Sequence, residues 1–171
     1  MVEHDVRVLE LSATKGIFQN LVHDPVSFVN APVLAEQRGV DISLKTERIS
    51  DDHKNLVSVS VTQTDGEIVC VSGTVAGSKH QAKVVNVNGF DVDVPISSHM
   101  AFFRYHDRPG VIGQVGNLLG DSQINIAGMQ VSRDNDGHAL IVLTVDSPIA
   151  PALIDQITGE IGAHAGKAIA L

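Results

Sequence analysis

Apolar residues recur every three or four positions in the first part of the chain and every second position after it. Val6, Leu9, Ala13, Ile17 and Leu21 form one helical stripe over 5–22, with a break expected near Ser12 and Gly16 weakening a single straight helix. Asp24-Pro25 and Asn30-Ala31-Pro32 read as helix starts, because proline is tolerated in a first turn and not deeper, and Arg38-Gly39 supplies a stop. From Val40 the period becomes two. Val40, Ile42 and Leu44, then Val57, Val59 and Val61, then Val69, Val71 and Val75 alternate with polar residues, as half-buried antiparallel strands do. Asp65-Gly66 separates the last two runs. Asn88-Gly89, between Val85/Val87 and Phe90/Val92/Val94, is the strongest hairpin signal, since both residues accept positive φ. These elements predict a first domain over residues 1–96, two helices on one face of a small antiparallel sheet, entered almost at once after Met1 as in a chain cut from a longer one.

Residues 97–171 follow a different order after the short linker Ser97-Ser98. A strand at 99–105 leads into a helix from Pro109 to Leu119; strands at 124–133 and 138–146 flank Asp136-Gly137; a helix over 150–161 and a strand over 163–169 complete a βαββαβ series. Leu153, Ile154, Ile157 and Ile161 give the second helix an apolar stripe. The run Ala139-Leu140-Ile141-Val142-Leu143 is apolar on both faces and so predicts a central strand. Ile124 and Ile126 lie on even positions while Met129 and Val131 lie on odd ones, which requires an extra residue in the strand, a bulge at Ala127-Gly128. The expected fold class is α+β, with a ferredoxin-like second domain.

Charge narrows the function. A net charge of −8 with only 12 Lys and Arg scattered along the chain argues against a nucleic-acid partner. No run approaches the ~18 apolar residues of a membrane span, and no basic segment precedes an apolar one at the N-terminus, so a cytoplasmic protein without a membrane partner is expected. The one cysteine, Cys70, reads as a buried, reduced thiol. The eight histidines show no i, i+4 pair and no His/Cys cluster, and predict no metal site. Asp134-Asn135-Asp136-Gly137 lacks the later ligands of a calcium loop and reads as a turn, and Asp51-Asp52-His53-Lys54 as a charged loop tip without assigned function.

Candidate chemistry gathers at 104–129. Pro109 at the first helical position would leave the amides of Gly110, Val111 and Ile112 free at a helix start, where the dipole favours a carboxylate. Asp107 offers an acceptor for an ammonium group, and Asn125 both donates and accepts, so Asp107, Asn125 and the helix start make a receptor for a zwitterion. Gly110, Gly113, Gly116 and Gly120 share one helical face, opposite Val111, Ile112, Val115, Leu118 and Leu119. Internal glycines cost about 0.8–1 kcal/mol each relative to alanine, which close approach by a ligand or a second subunit would explain.

Tyr105-His106-Asp107-Arg108-Pro109-Gly110 followed by Val111-Ile112-Gly113, and later Ile124-Asn125-Ile126, resembles the signature of ACT domains, which are amino-acid-sensing modules. Leu11-Ser12-Ala13, Val29-Asn30-Ala31-Pro32 and the stretch from Asp65-Gly66 to Ser72-Gly73-Thr74, together with that segment, resemble the C-terminal regulatory half of long bacterial D-3-phosphoglycerate dehydrogenases. The resemblance implies an intervening, allosteric substrate-binding domain and then an ACT domain. It further implies L-serine or a similar small amino acid bound at Tyr105, Asp107 and Asn125 with backbone help from Gly110, Val111 and Ile126, between ACT domains paired in a homo-oligomer. The intervening domain's anion site maps on to Lys83, although the following hairpin carries Phe90, Asp91 and Pro95 where basic residues would serve an anion. NAD would belong to a catalytic half, because the spacing of Gly110, Gly113 and Gly116 is not that of a dinucleotide loop and the chain has no such fold of its own. The alternatives are a stand-alone ACT interaction module and the regulatory region of an iron-sulfur L-serine dehydratase.

Overall fold

The structure, a computed structural model, describes residues 5–47, 53 and 55–171. The loop tip at 51–54 lies outside the described residues except for His53. The chain divides into two compact units, one through Asn55 and one from Leu56 to Leu171.

In the first unit, α1 (Arg7–Phe18) and α2 (Ala31–Gln37) pack on each other, with Phe18, Ala31 and Ala35 buried. α1 runs without the expected break at Ser12, because the hydroxyls of Ser12 and Thr14 fold back on to the carbonyls of Val8 and Glu10 one turn earlier, each at 2.7 Å, and leave the ladder intact. α2 begins as expected after Asn30 with Pro32 in its first turn, and the chain leaves it through Gly39. Asp24-Pro25 opens no helix. Its segment is instead tied into a turn by Asn30, whose side chain accepts from the Ser27 amide at 2.7 Å and donates to the Pro25 carbonyl at 3.0 Å. Residues 40–44, expected as a strand, form none: Val40, Ile42 and Leu44 are 39%, 37% and 42% exposed, and alternation alone makes no strand without a ladder partner.

The second unit holds two antiparallel four-stranded sheets. β1 (Val57–Thr62), β2 (Ile68–Ala76), β3 (Gln81–Val87) and β4 (Phe90–Pro95) form a meander in chain order. The β3–β4 turn is the Asn-Gly turn expected, with φ of +50° at Asn88 and +86° at Gly89. β5 (His99–His106), β6 (Ile126–Arg133), β7 (His138–Val145) and β8 (Ala163–Ala170) lie in the order β6-β7-β5-β8, with α3 (Val111–Asp121) after β5 and α4 (Pro151–Glu160) after β7. This is the ferredoxin-like order, with β6 and β8 at the edges. The register of β6 against β7 slips between Ile126 and Gly128, the bulge required by the phase change.

β7 explains its own composition. Ala139, Ile141, Leu143 and Val145 face a core shared with Phe103 and Tyr105 of β5, Val111, Val115 and Leu119 of α3, and Ile154, Ile157 and Ile161 in and just after α4. Leu140 and Val142 point the other way and meet Phe90, Val92 and Val94 of β4. One sheet therefore covers the outer face of the other. The valines of β2 do not enter this contact fully: Val69 and Val71 line an apolar cavity of about 610 Å³ that also reaches Phe90, Phe102, Arg104 and His164. Ser72 and Thr74, on the other face of β2, are the more buried residues, and Cys70 is half-buried rather than buried, accepting from the Ser60 hydroxyl at 3.3 Å. No described helix is long and apolar enough to cross a membrane.

Candidate functional site

The start of α3 differs by two residues from the expectation. Gly110 adopts φ of +93°, which L side chains rarely adopt, so Pro109 cannot be the first helical residue and the first helical bond runs from the Gln114 amide to the Gly110 carbonyl at 3.0 Å. The amides of Val111, Ile112 and Gly113 are those without a helical acceptor, and no side chain among the described residues caps them. Asp107 stands at the same end. Its amide donates to the Gly137 carbonyl at 2.8 Å, which pins the loop against the β6–β7 turn, and its carboxylate accepts from Arg133 Nε at 2.6 Å through Oδ2. Arg133, at the end of β6, was not singled out in the sequence. Its guanidinium pKa is raised by that hydrogen bond and by the charge of Asp107.

Tyr105 is buried, 2% exposed, in the core with Phe103 and Val111, so it supports the loop from beneath instead of lining an open site. Burial raises its phenol pKa, Asp107 raises it further, and Arg133 partly offsets both.

Asn125 does not join Asp107 within one chain. Tyr105 and Arg133 both lie opposite Ala139, whereas Ile126 lies opposite Val145, six residues away along β7. At ~3.3 Å per residue that is roughly 20 Å. α3 accounts for the separation, since its 11 residues carry the chain back to the end where β5 began. The backbone of Asn125 is held by Asp146, whose Oδ1 accepts from the Asn125 amide at 3.0 Å and whose own amide donates to the Asn125 carbonyl at 3.1 Å. Its carboxamide is exposed and unpaired among the described residues. Ile126, half-buried, lies at the bulge.

The glycine face of α3 is bare. A Cβ at Gly110, Gly113, Gly116 or Gly120 would meet nothing within 4 Å among the described residues. Gly113→Ala is therefore expected to stabilise the isolated fold by up to about 1 kcal/mol through helix propensity, read as a higher denaturation midpoint. If that face receives a second copy, the same change will weaken self-association in sedimentation.

Lys83 is already paired. Its ammonium donates to both oxygens of Asp93, at 2.8 and 3.0 Å, and its side chain is only 22% exposed. An anion there would have to displace Asp93. Asp93→Asn is expected to increase phosphate-induced thermal stabilisation, and Lys83→Gln in that background to remove it.

Three histidines meet, against the expectation of no cluster. His106 of β5 and His138 of β7 are ladder partners with rings 4.6 Å apart, and His164 of β8 sits 4.6 Å from His106 and 5.5 Å from His138. Partial desolvation by its neighbours lowers the pKa of the exposed His164, and the charges of His106, His138 and Arg104 lower it further. Asp134 accepts from the His138 amide at 2.7 Å and lies 3.1 Å from its Nδ1.

Comparison with known proteins matches both parts of the chain. The model of the D-3-phosphoglycerate dehydrogenase intervening domain matches residues 1–88, and that of the ACT domain residues 99–162. D-3-phosphoglycerate dehydrogenase of Mycobacterium leprae is 36% identical over 165 residues, 96% of this chain and 31% of the relative. That of Synechocystis is 31% identical over 155 residues, 90% of this chain and 28% of the relative. The chain thus spans about a third of the length of the curated relatives it matches. Among solved structures, the C-terminal domain of the MgtC protein from Mycobacterium tuberculosis overlaps 43% of this chain and 85% of its own length at 13% identity and a TM-score of 0.35, a likeness too weak to carry an argument.

Proposed function

We propose that this chain, which belongs to the D-3-phosphoglycerate dehydrogenase intervening-domain family and joins that domain to an ACT domain, is a serine-sensing regulatory module. L-serine would bind where two ACT domains pair, and would control an attached NAD-dependent dehydrogenase by feedback. In this reading the domains divide as 1–96 and 97–171.

The observation that carries the proposal is the separation of two halves of a zwitterion receptor. At one end of the sheet stand Asp107, Arg133 and the free amides of α3; at the other stands the unpaired carboxamide of Asn125. β6 is an edge strand, with main-chain groups available for pairing. A two-fold axis beside β6 sets two copies antiparallel and brings one protomer's Asn125 to the other's Asp107, making two equivalent sites. The serine ammonium is read by Asp107, whose Oδ1 is unpaired among the described residues, and the carboxylate by the α3 amides and Arg133. Tyr105 holds the loop from the core.

Serine bound across the pair favours one arrangement of subunits over another. A differential of about 1–3 kcal/mol would give roughly 5- to 150-fold control of the attached enzyme. The test is thermal unfolding of the chain with L-serine, which is expected to raise the midpoint and to favour the dimer. An unchanged midpoint at saturating concentrations of L-serine, with a stable dimer, would leave a pairing module without an effector.

A further inference from the structure

We propose that His106, His138 and His164 form a binding site for a divalent transition metal ion, with Zn²⁺ as the ion of best fit. The site lies at the end of the second sheet, on the face opposite Tyr105, and is separate from the amino-acid receptor.

Three features of the backbone bring the rings together. His106 and His138 are directly opposed across the β5–β7 ladder, so their side chains leave the same face. β8 is irregular at this point: Arg104 pairs with Ala165 and Tyr105 with Ala163, which leaves His164 as the extra residue of a bulge. Bulges turn a side chain out of its alternating direction, and this one delivers the third imidazole to the first two. One ring nitrogen from each residue lies within 4.8 Å of one from each of the others.

A tetrahedral ion with Zn–N bonds of ~2.05 Å needs nitrogens about 3.3 Å apart. With the nitrogens within 4.8 Å of one another the excess is at most about 1.5 Å, and His106 and His164 are exposed, so side-chain rotation can close it. His138 is the more buried and the better oriented member. A hydrogen bond from its Nδ1–H to Asp134 at 3.1 Å leaves the Nε2 lone pair free for the ion and supplies a negative charge behind the ring. Three neutral imidazoles with a fourth position open to solvent are the donor set of a Zn²⁺ site, whereas Mg²⁺ and Ca²⁺ prefer oxygen ligands. Arg104 works against a dication, and the carboxylate of Asp134 behind His138 supplies the opposing charge.

The experiment titrates the tag-free 171-residue chain with Co²⁺ and follows its visible ligand-field absorption, then adds Zn²⁺ as competitor. The expected result is one Co²⁺ per chain, displaced by Zn²⁺, with affinity reduced about 100-fold or more in H106Q, H138Q and H164Q and unchanged in H23Q, which removes an exposed histidine elsewhere. Far-ultraviolet circular dichroism checks each fold; H106Q and H164Q alter exposed side chains and decide the matter even if H138Q unfolds. No absorption, equal binding in H106Q and H164Q, or equal loss in H23Q would overturn the proposal. L-serine stabilisation is measured on the same variants and is expected to be unaffected, so the outcome is independent of the amino-acid site.

Discussion

Replacing Phe103 with alanine is expected to cost about 3–5 kcal/mol of stability. Phe103 is fully buried in the middle of β5, with Ile141 on one side of its ladder and Gly166 on the other. The glycine is part of the packing: a Cβ built on Gly166 would stand 3.0 Å from the Phe103 ring and 2.1 Å from Thr158 Oγ1, so the ring and α4 occupy the space a side chain would need. Removing the ring opens a cavity bounded by two hydrogen-bonded strands and two helices, none of which can collapse far without breaking a ladder. Native stability is commonly only about 5–15 kcal/mol, so the variant should lose a large part of it. Urea unfolding is the measurement, with a lowered midpoint and unchanged slope expected. Ile68→Ala, at a position 61% exposed, should stay within about 0.5 kcal/mol of the parent. A Phe103→Ala loss below about 1 kcal/mol would contradict the packing described.

The second large effect concerns the proposed effector, L-serine. At a serine concentration about a hundred times Kd, binding to the folded state alone adds about 2.7 kcal/mol, or roughly 5–11 °C in a domain of this size. Asp107→Ala and Asn125→Ala are each expected to remove that shift. Both side chains are at the surface, so neither change should disturb the unliganded fold by more than about 1 kcal/mol. Asp107→Ala also frees Arg133 from its carboxylate partner, so its effect on serine binding would combine loss of the proposed ammonium acceptor with a freed guanidinium. Asn125→Ala is the cleaner of the two, because the Asn125 carboxamide has no other partner among the described residues.

Much of this architecture was legible because the relevant signals are local. The βαββαβ order follows from changes of period, the β6 bulge from a switch between even and odd positions, and the β3–β4 turn from two residues that tolerate positive φ. What depended on tertiary contact was not legible. Alternation in β4 marks an apolar face but does not say that β7 covers it, and the same alternation at residues 40–44 produced no strand. The helix start moved because Gly110 takes a left-handed conformation that a preceding proline does not reveal. Asp107 and Asn125 flank one helix in sequence, and nothing local discloses that this helix returns the chain to the opposite end of the sheet. The histidine cluster was hidden for a similar reason: His106 and His138 become partners only through ladder register, and His164 reaches them only through a bulge.

The claim that the amino-acid site is shared between two copies is tested most directly by mixing two defective proteins. Asp107→Ala and Asn125→Ala chains, each expected to bind no serine alone, are unfolded together and refolded, and L-serine binding is measured by calorimetry. A shared site predicts that each mixed dimer regains one intact site, formed by Asp107 of one chain and Asn125 of the other, so binding returns at reduced stoichiometry and near-parental affinity. If the mixture forms mixed dimers and still binds no serine, the site is not assembled across the pair and the account is contradicted.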